Sequence, residues 1–362
     1  MKTYNLVLIG CGHMGSVHLR HISKLSCVHL LAVVDTDMTK AKRFQALYGS
    51  DYCFDDYRCA VSLPQCDIVI IATYPSTHLE IVRQCIANGK HILCEKPVAG
   101  NWDEVREFTG YMKTAAVKIL AGYILRHNDS YRLIHDLIRE GKIGKPLVMR
   151  MTQNHRTADW PRYRKLITET SPIIDCGVHY LDIMEWVTGA QIEKITAAGT
   201  STQPDLPKGK YNYGIMTVTL SDGSIGYYEA GWGKTVPAVN EKEFIGPDGS
   251  IRLITSRERV KELRKASLAQ LQDYADEVPD GIQESDGVPL GDLVELTCRS
   301  ETESRRFNVG GVRKPTGEQL LYLISMIEEN APPVPSAEQI DRGMASVLEA
   351  DRQIRSSLLD GR

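Results

Sequence analysis

The chain has no CxxC pair, no long run of lysine and arginine, and no apolar stretch approaching the length of a bilayer span. Each absence closes off a class of function. Nine cysteines, at positions 11, 27, 53, 59, 66, 85, 94, 176 and 298, form an odd set without metal-ligand spacing. Neither a secreted disulfide framework nor a metal site is expected, and the thiols read as reduced. Lysine and arginine number 43 against 46 aspartates and glutamates, a net charge of -3 that lacks the basic excess a phosphate backbone selects. Nucleic acid is therefore not an expected partner. The first apolar run, after Met1-Lys2-Thr3-Tyr4-Asn5, is too short for a signal-peptide core or a membrane span. A cytoplasmic protein without a membrane partner is the expectation.

What the chain does have is an ordinary globular balance, 42% apolar and 25% charged, spread over 362 residues. That length exceeds what one hydrophobic core usually organises, so two domains are expected. Short β-branched runs alternate with amphipathic stretches from the start, the pattern of βαβ units in a doubly wound parallel sheet. Strands are predicted at 6–9, 29–34, near Tyr52, at 68–71, 91–94 and 117–120. Helices are predicted over 14–25 and 39–48, from a cap at Ser76 to the stop at Asn88-Gly89, and from a cap at Asn101. The first domain is placed at 1–122.

Past a helix over 129–140, the pattern changes to strands at 146–153, 195–200, 211–220, 224–230 and 243–245, with hairpin turns at Ser221-Asp222-Gly223 and Pro247-Asp248-Gly249. This predicts an α+β second domain over 123–340 with a large, mainly antiparallel open sheet, and a closing helix from 337 to 359, with 341–362 packing back on the body of the protein. The charged region 256–306 reads as a helix followed by a long loop.

Gly10-Cys11-Gly12-His13-Met14-Gly15 fits GxGxxG where a strand gives way to a helix. Glycines there serve a tight turn, close approach of backbone to a pyrophosphate, and helix packing, while the helix start offers N–H donors to the anion. Asp35 ends the second predicted strand, 20 residues after Gly15, in register to bind ribose hydroxyls. A carboxylate there repels a 2′-phosphate, and Thr36 and Asp37 follow it where an arginine would favour NADP. NAD is the predicted cofactor, with Lys40 and Arg43 the residues that speak for NADP.

Three more segments accompany the fingerprint: Ala72-Thr73-Tyr74-Pro75-Ser76-Thr77-His78, Glu95-Lys96-Pro97, and Asp175-Cys176-Gly177-Val178-His179. In this order the set resembles the glucose-fructose oxidoreductase / inositol dehydrogenase / rhizopine catabolism protein family, from Asn5 to the C-terminal helix. The resemblance implies a Rossmann domain for the first half and a nicotinamide-dependent oxidoreductase acting on a secondary alcohol of a sugar, inositol or related polyol. It implies that Thr73, Pro75 and His78, with Ala72 and Tyr74, neighbour the cofactor. Glu95, Lys96 and Pro97 match the family's EKP motif, in which the lysine reaches the reacting oxygen and a cis peptide bond usually precedes the proline. Family members often carry a GGG run before the second-domain helix, where this chain has Glu169-Thr170-Ser171.

Ser171-Pro172 reads as a cap and first helical residue, which puts Asp175 and His179 four apart on one helix face. Removing a hydride from a carbinol requires taking its hydroxyl proton, and a histidine, with an unperturbed pKa near 6.5, suits that work. His179 is the predicted proton acceptor in oxidation and donor in reduction, Lys96 the group that stabilises the alkoxide and shares the proton transfer as the family resemblance implies, and Asp175 the residue that orients the substrate and the two bases. Cys94 and Cys176 stand beside these residues, but buried small-hydrophobe thiols are the preferred reading.

By the same resemblance Tyr123, Arg126, His127 and Asn128 lie near nicotinamide and substrate, and Asn154, His155, Arg156, Asp159, Trp160 and Arg162 cross the sugar pocket. Trp160 would supply an aromatic wall, and Trp232 either approaches the same cleft or packs the sheet. Arg156, Arg162, Arg164 and Lys165 leave an anionic sugar open as an alternative. The resemblance also implies a homodimer or homotetramer.

Rival readings remain. No tyrosine has a lysine four residues on, which removes the pair used by short-chain dehydrogenases, and all ten histidines lie at or before 179. A metal-free lysine/histidine mechanism is left. One rival is an NAD-dependent glycoside hydrolase or eliminating enzyme working through transient C3 oxidation. Another is a non-catalytic sensor of nucleotide or sugar.

Overall fold

The computed structural model describes residues 2–157, 159–255, 291–300, 304–310 and 314–360. Contacts divide the chain into two units, one of Met1–His127 with Arg313–Ala345 and one of Asn128–Val312 with Ser346–Arg362.

The first unit is built on β1 (Tyr4–Ile9), β2 (Val28–Val34), β3 (Tyr52–Phe54), β4 (Ile68–Ile71), β5 (His91–Cys94) and β6 (Ile119–Ala121). They form one sheet in the order β3-β2-β1-β4-β5-β6, and every pairing is parallel. Such strands are covered on both faces, which is why all four residues of β4 are fully buried. Helices α1 (His13–Ile22), α2 (Met38–Tyr48), α3 (Tyr57–Val61), α4 (Pro75–Ala87) and α5 (Trp102–Thr114) connect the strands. The order reverses between β1 and β4, and in such sheets ligands bind beyond the strand C-termini at that point. Asn101 caps α5 by accepting from Glu104 N, as its sequence position predicts. At α4 the cap is Tyr74 with Pro75 in the first helical position, two residues before the predicted cap at Ser76. Proline's fixed φ suits that position, so the helix opens on it.

Besides the short α3, two further helices were not evident from the periodicity. One is α7 (Trp160–Glu169), which starts in the segment that the resemblance places across the sugar pocket; α6 (Asp129–Arg139) and α8 (Pro172–Thr188) flank it in order. The other is α9 (Thr316–Glu328), whose Leu320, Leu323, Ile324 and Met326 share a core with Leu6, Leu8, Leu19 and Ile22. This burial groups residues 313–345 with the first unit, whereas the sequence reading assigned everything from 123 to 340 to the second domain.

The second unit holds β7 (Val148–Arg156), β8 (Ile192–Thr200), β9 (Tyr213–Leu220), β10 (Ile225–Gly233), β11 (Lys242–Gly246), β12 (Gly249–Ile254), β13 (Asp292–Cys298) and β14 (Arg305–Val309). Their order is β14-β13-β12-β11-β7-β10-β9-β8, antiparallel except for β7 with β10. The fold is thus α/β, a Rossmann-type parallel sheet plus a mostly antiparallel one. Both predicted hairpins are present, β9 with β10 and β11 with β12. Strands β13 and β14 correct the loop read at the end of the 256–306 region; residues 256–290 of that reading lie outside the described residues. Charged residues on the solvent face hid the two-residue period of these strands.

Helix α8 covers the inner face of the sheet, and glycines set its distance. A Cβ on Gly226 of β10 would lie 2.4 Å from Met184 Sδ, and one on Gly177 of α8 would lie 3.0 Å from Met216 Cε. The last helix, α10 (Ala337–Leu359), matches its predicted span. Among the described residues no helix is long and apolar enough to cross a membrane.

Candidate functional site

The loop from β1 into α1 separates glycines the fold needs from one it does not. Gly10 has φ +103°, and a Cβ there would lie 2.4 Å from the Ala72 carbonyl oxygen; a Cβ on Gly15 would lie 2.1 Å from the Gly10 carbonyl oxygen. Both are excluded by the chain's own backbone. A Cβ on Gly12 would meet nothing within 4 Å. Gly12 is the N-cap of α1 in extended geometry, makes no side-chain capping bond, and precedes a first turn without an acidic residue. The helix start is left as a cradle of N–H donors beside open space, which fits a pyrophosphate.

Asp35, at the end of β2, fixes this loop. Its Oδ2 accepts from Cys11 N and its Oδ1 from Asp37 N, both at 2.9 Å. Each carboxylate oxygen retains acceptor capacity for a ribose hydroxyl. Thr36 beside it is exposed. Cys11 is buried, and burial, with Asp35 next in effect, pushes its thiol up to about 12. It stays protonated and inert.

Two more loops leave the same edge of the sheet, after β4 and after β5. The His78 imidazole joins them, with Nε2 3.2 Å from the Thr73 carbonyl and Nδ1 3.1 Å from the Pro97 carbonyl. It is fully buried, so it braces the two loops from behind. Burial is the largest influence on it and holds it below the usual histidine range, although both carbonyls and Glu95 pull the other way. Tyr74 is exposed, and the Thr77 hydroxyl donates to Thr73 Oγ1 at 2.8 Å.

The Glu95-Lys96-Pro97 segment is held just as firmly. Glu95 Oε1 lies 2.7 Å from Nε2 of His18, a residue of α1, with both side chains buried. Glu95 Oε2 accepts from Lys96 N at 3.3 Å. A Cβ on Gly122 would come within 3.0 Å of Glu95 Cα and of Lys96 N, so only glycine admits the segment. The Lys96-Pro97 peptide is cis. His18 and Gly122 were missed in the sequence; a histidine three residues past the fingerprint was the only available sign of the first. Cys94 is fully buried, and burial followed by Glu95 raises its thiol well above its ordinary value, which removes it as a nucleophile.

In the second unit the start of α8 carries Asp175 and His179. Ser171 caps the helix by accepting from Ile174 N, with Pro172 at its first position. The Tyr211 hydroxyl lies 2.8 Å from Ser171 Oγ and donates to Asp351 at 2.7 Å. Burial, then Asp351, drives that phenol well above its usual range, so it remains a donor. Asp175 is half-buried and accepts from the Cys176 thiol at 3.4 Å, and His179 is 9% exposed.

The residues expected around the substrate divide by burial. Tyr123, Arg126 and His127 are buried in the first unit, and Asn128 caps α6 by accepting from Ser130 N and Tyr131 N. His155 is half-buried on β7, 6.4 Å from the Tyr163 ring. Arg156 and Arg162 are exposed, and Asp159 caps α7. Trp160 is 5% exposed, donates its indole N–H to Asp205 at 2.9 Å, and packs with Ile167 and Trp232. Trp232, 2% exposed, is likewise a packing residue. The aromatic surface left half-open in this cluster is Tyr163.

Comparison with known proteins identifies the family and the fold. Residues 4–123 match the GFO/IDH/MocA oxidoreductase family, NAD-binding Rossmann fold, and residues 131–252 match the GFO/IDH/MocA C-terminal domain. Inositol 2-dehydrogenase of Rubrobacter xylanophilus is 25% identical over 252 residues, 68% of this chain and 70% of that protein. A crystal structure of scyllo-inositol dehydrogenase from Lactobacillus casei, with bound cofactor NAD(H) and scyllo-inositol, superposes with a TM-score of 0.73 at 21% identity, covering 98% of each chain. A putative NADPH-dependent oxidoreductase from Desulfitobacterium hafniense gives 0.76 at 17% identity, over 98% of this chain and 96% of its own. At these identities the structural likeness is one of fold.

Proposed function

The chain belongs to the GFO/IDH/MocA family of oxidoreductases, and from that premise we propose that it transfers a hydride between NAD and a secondary alcohol carbon of a polyol of the inositol or sugar class. The observation that carries this reading is the alignment of the Gly10–Gly15 loop, Asp35 and Glu95-Lys96 along the C-terminal edge of one parallel sheet. Gly10, Cys11, Gly12, His13, Met14 and Gly15 hold the pyrophosphate, Asp35 and Thr36 the adenosine ribose, and the Ala72–Pro75 and Glu95–Pro97 loops the nicotinamide half. When bound, the nicotinamide accepts the hydride.

The rest is done by side chains of this protein. His179 takes the hydroxyl proton of the reacting carbon in oxidation and returns it in reduction. The Lys96 ammonium donates a hydrogen bond to the oxygen as negative charge grows on it, where a fixed cation is worth most. Asp175 accepts from a neighbouring substrate hydroxyl and orients the ring. Arg126, His155 and Arg162 are proposed as further polar contacts, while Tyr123 and Trp160 are buried and act by packing, each within its own unit. The Asp35 carboxylate supports NAD over NADP, since a 2′-phosphate would lie against it.

The outer face of the eight-stranded sheet supports a homo-oligomer. Val148, Ile215, Ile225 and Ile245 are each more than a third exposed on it, a concentration of apolar surface that self-association would cover.

A panel of inositols, aldoses, sugar acids and nucleotide sugars, each with NAD and NADP and followed by absorbance of the reduced nicotinamide, tests the reading. Reduction of NAD by an uncharged polyol is expected. Turnover with NADP alone would refute the cofactor assignment, and product formed without net reduction would point to transient oxidation.

A further inference from the structure

We propose that His18 is a positioning residue for the reacting lysine: through the Glu95 carboxylate it sets where the Lys96 backbone stands against the fingerprint helix α1, and so where the ammonium meets the substrate oxygen. The inference rests on the role proposed for Lys96 and adds to it a residue outside the motifs read in the sequence. His18 lies on α1 three residues past Gly15, and its Nε2 is 2.7 Å from Glu95 Oε1. The other carboxylate oxygen accepts from Lys96 N at 3.3 Å. One side chain thus joins the helix proposed to hold the pyrophosphate to the main chain of the residue proposed to hold the alkoxide.

Packing alone does not account for a histidine at this position. It is fully buried, and the other buried side chains of α1 are Val17, Leu19 and Ile22, all apolar. An imidazole brings two polar nitrogens into that core, and Nδ1 has no hydrogen-bond partner among the described residues. A buried polar atom left unpaired is costly, so an apolar residue would serve the core better. What the imidazole adds is the bond from Nε2 to Glu95, made where water does not compete for either group.

The rest of the segment makes Lys96 sensitive to that bond. Glu95 N donates to the Ile71 carbonyl at the end of β4, and the Pro97 carbonyl lies 3.1 Å from His78 Nδ1. Both neighbours of Lys96 are therefore tied down, one to the sheet and one to α4. The Glu95 side chain, held by His18 and bonded back to Lys96 N, fixes the peptide between them. A group that meets charge as it develops has to be aimed closely, and a displacement of about 1 Å can lower a rate about 100-fold.

Steady-state turnover of the purified full-length protein tests this, with NAD and whichever of myo-inositol, scyllo-inositol and glucose the wild type oxidises fastest. The side-chain nitrogen of glutamine reaches about as far as Nε2 of histidine, whereas that of asparagine stops near Nδ1. His18→Gln is therefore expected to retain most of the turnover. His18→Asn is expected to lower kcat about 100-fold, with NADH affinity by fluorescence and the KM for NAD unchanged. Glu95→Asp withdraws the carboxylate from the other end of the bond and is expected to give the same split, so the outcome does not hang on the folding of one variant. In a Lys96→Ala background, His18→Asn should cause no further loss, because a residue acting through the lysine has nothing left to position. Wild-type kcat in both His18→Asn and Glu95→Asp, an equal loss in His18→Gln and His18→Asn, a parallel loss of NADH affinity, or losses that multiply with Lys96→Ala would overturn the proposal while leaving the role of Lys96 intact. Wild-type turnover in Lys96→Ala itself would overturn that role and this inference together, as would a wild-type protein that oxidises none of the three polyols.

Discussion

Along the parallel sheet, the site proposed for the cofactor is mostly backbone: the open N–H groups of α1, the space beside Gly12, and loops braced by His78 and Glu95. Against the eight-stranded sheet, the groups proposed for a ligand are side chains, Asp175 and His179 on one helix, held by a cap that Tyr211 and Asp351 reinforce. Backbone recognition demands glycine and tight geometry, so it leaves spaced motifs. Side-chain recognition demands only a suitable residue at the right place in the fold, so most of it leaves no mark until the fold is known.

The largest expected effects come from substituting one reacting group on each side of that contrast. Lys96→Ala and His179→Ala should each lower turnover by about 10²- to 10⁴-fold, the usual contribution of a positioned proton-transfer group, while NADH affinity measured by fluorescence stays near wild type. Retained rates in both would break the assignment of roles.

Trp160 sharpens the comparison from the second unit, because its sequence position suggests a substrate wall and its burial suggests packing. Trp160→Ala should destabilise the protein by roughly 3–5 kcal/mol, seen as a lowered denaturant midpoint. A variant with unchanged stability and a raised KM would restore it to the pocket surface.

Gly12 does the same for the first unit. Gly12→Ala meets no atom of the chain, so the thermal transition should hold while NADH binding weakens roughly tenfold, about 1.4 kcal/mol, from the lost approach to the pyrophosphate. Unchanged affinity would mean that the cradle faces solvent only.

The smallest effect concerns His78. Its folded imidazole sits below the ordinary 6.5, with burial the main cause. The unfolded chain therefore binds a proton that the folded protein refuses, so this residue's contribution is complete above pH 6.5 and is lost as the pH falls below it. The decline in urea midpoint from neutral pH to about pH 5 should be shallower in His78→Gln. An identical decline would remove His78 as its source.

The same contrast explains how much was legible in advance. Strands β4 and β5 were placed to the residue, because fully buried parallel strands are continuous apolar runs bounded by turns. The Gly10–Gly15 loop, Asp35 and the Ser171-Pro172 cap were legible because each is a local rule. His18 opposite Glu95, Gly122 beneath Lys96, and the approach of α9 to α1 were not, since each joins residues whose nearness only the fold creates. Trp160 misled for a related reason: a tryptophan beside arginines looks like a sugar platform, but Asp205 and Trp232, distant in sequence, turn it inward. Strands β13 and β14 were hidden by alternating charge at the edge of the sheet.

The most direct test of the central claim is to follow deuterium from the reacting carbon of a turned-over polyol by NMR. Hydride transfer as proposed predicts the label on the nicotinamide C4 of the released, reduced cofactor, in proportion to product. Label that returns to the sugar product or washes into water, with no reduced cofactor released, would contradict the account.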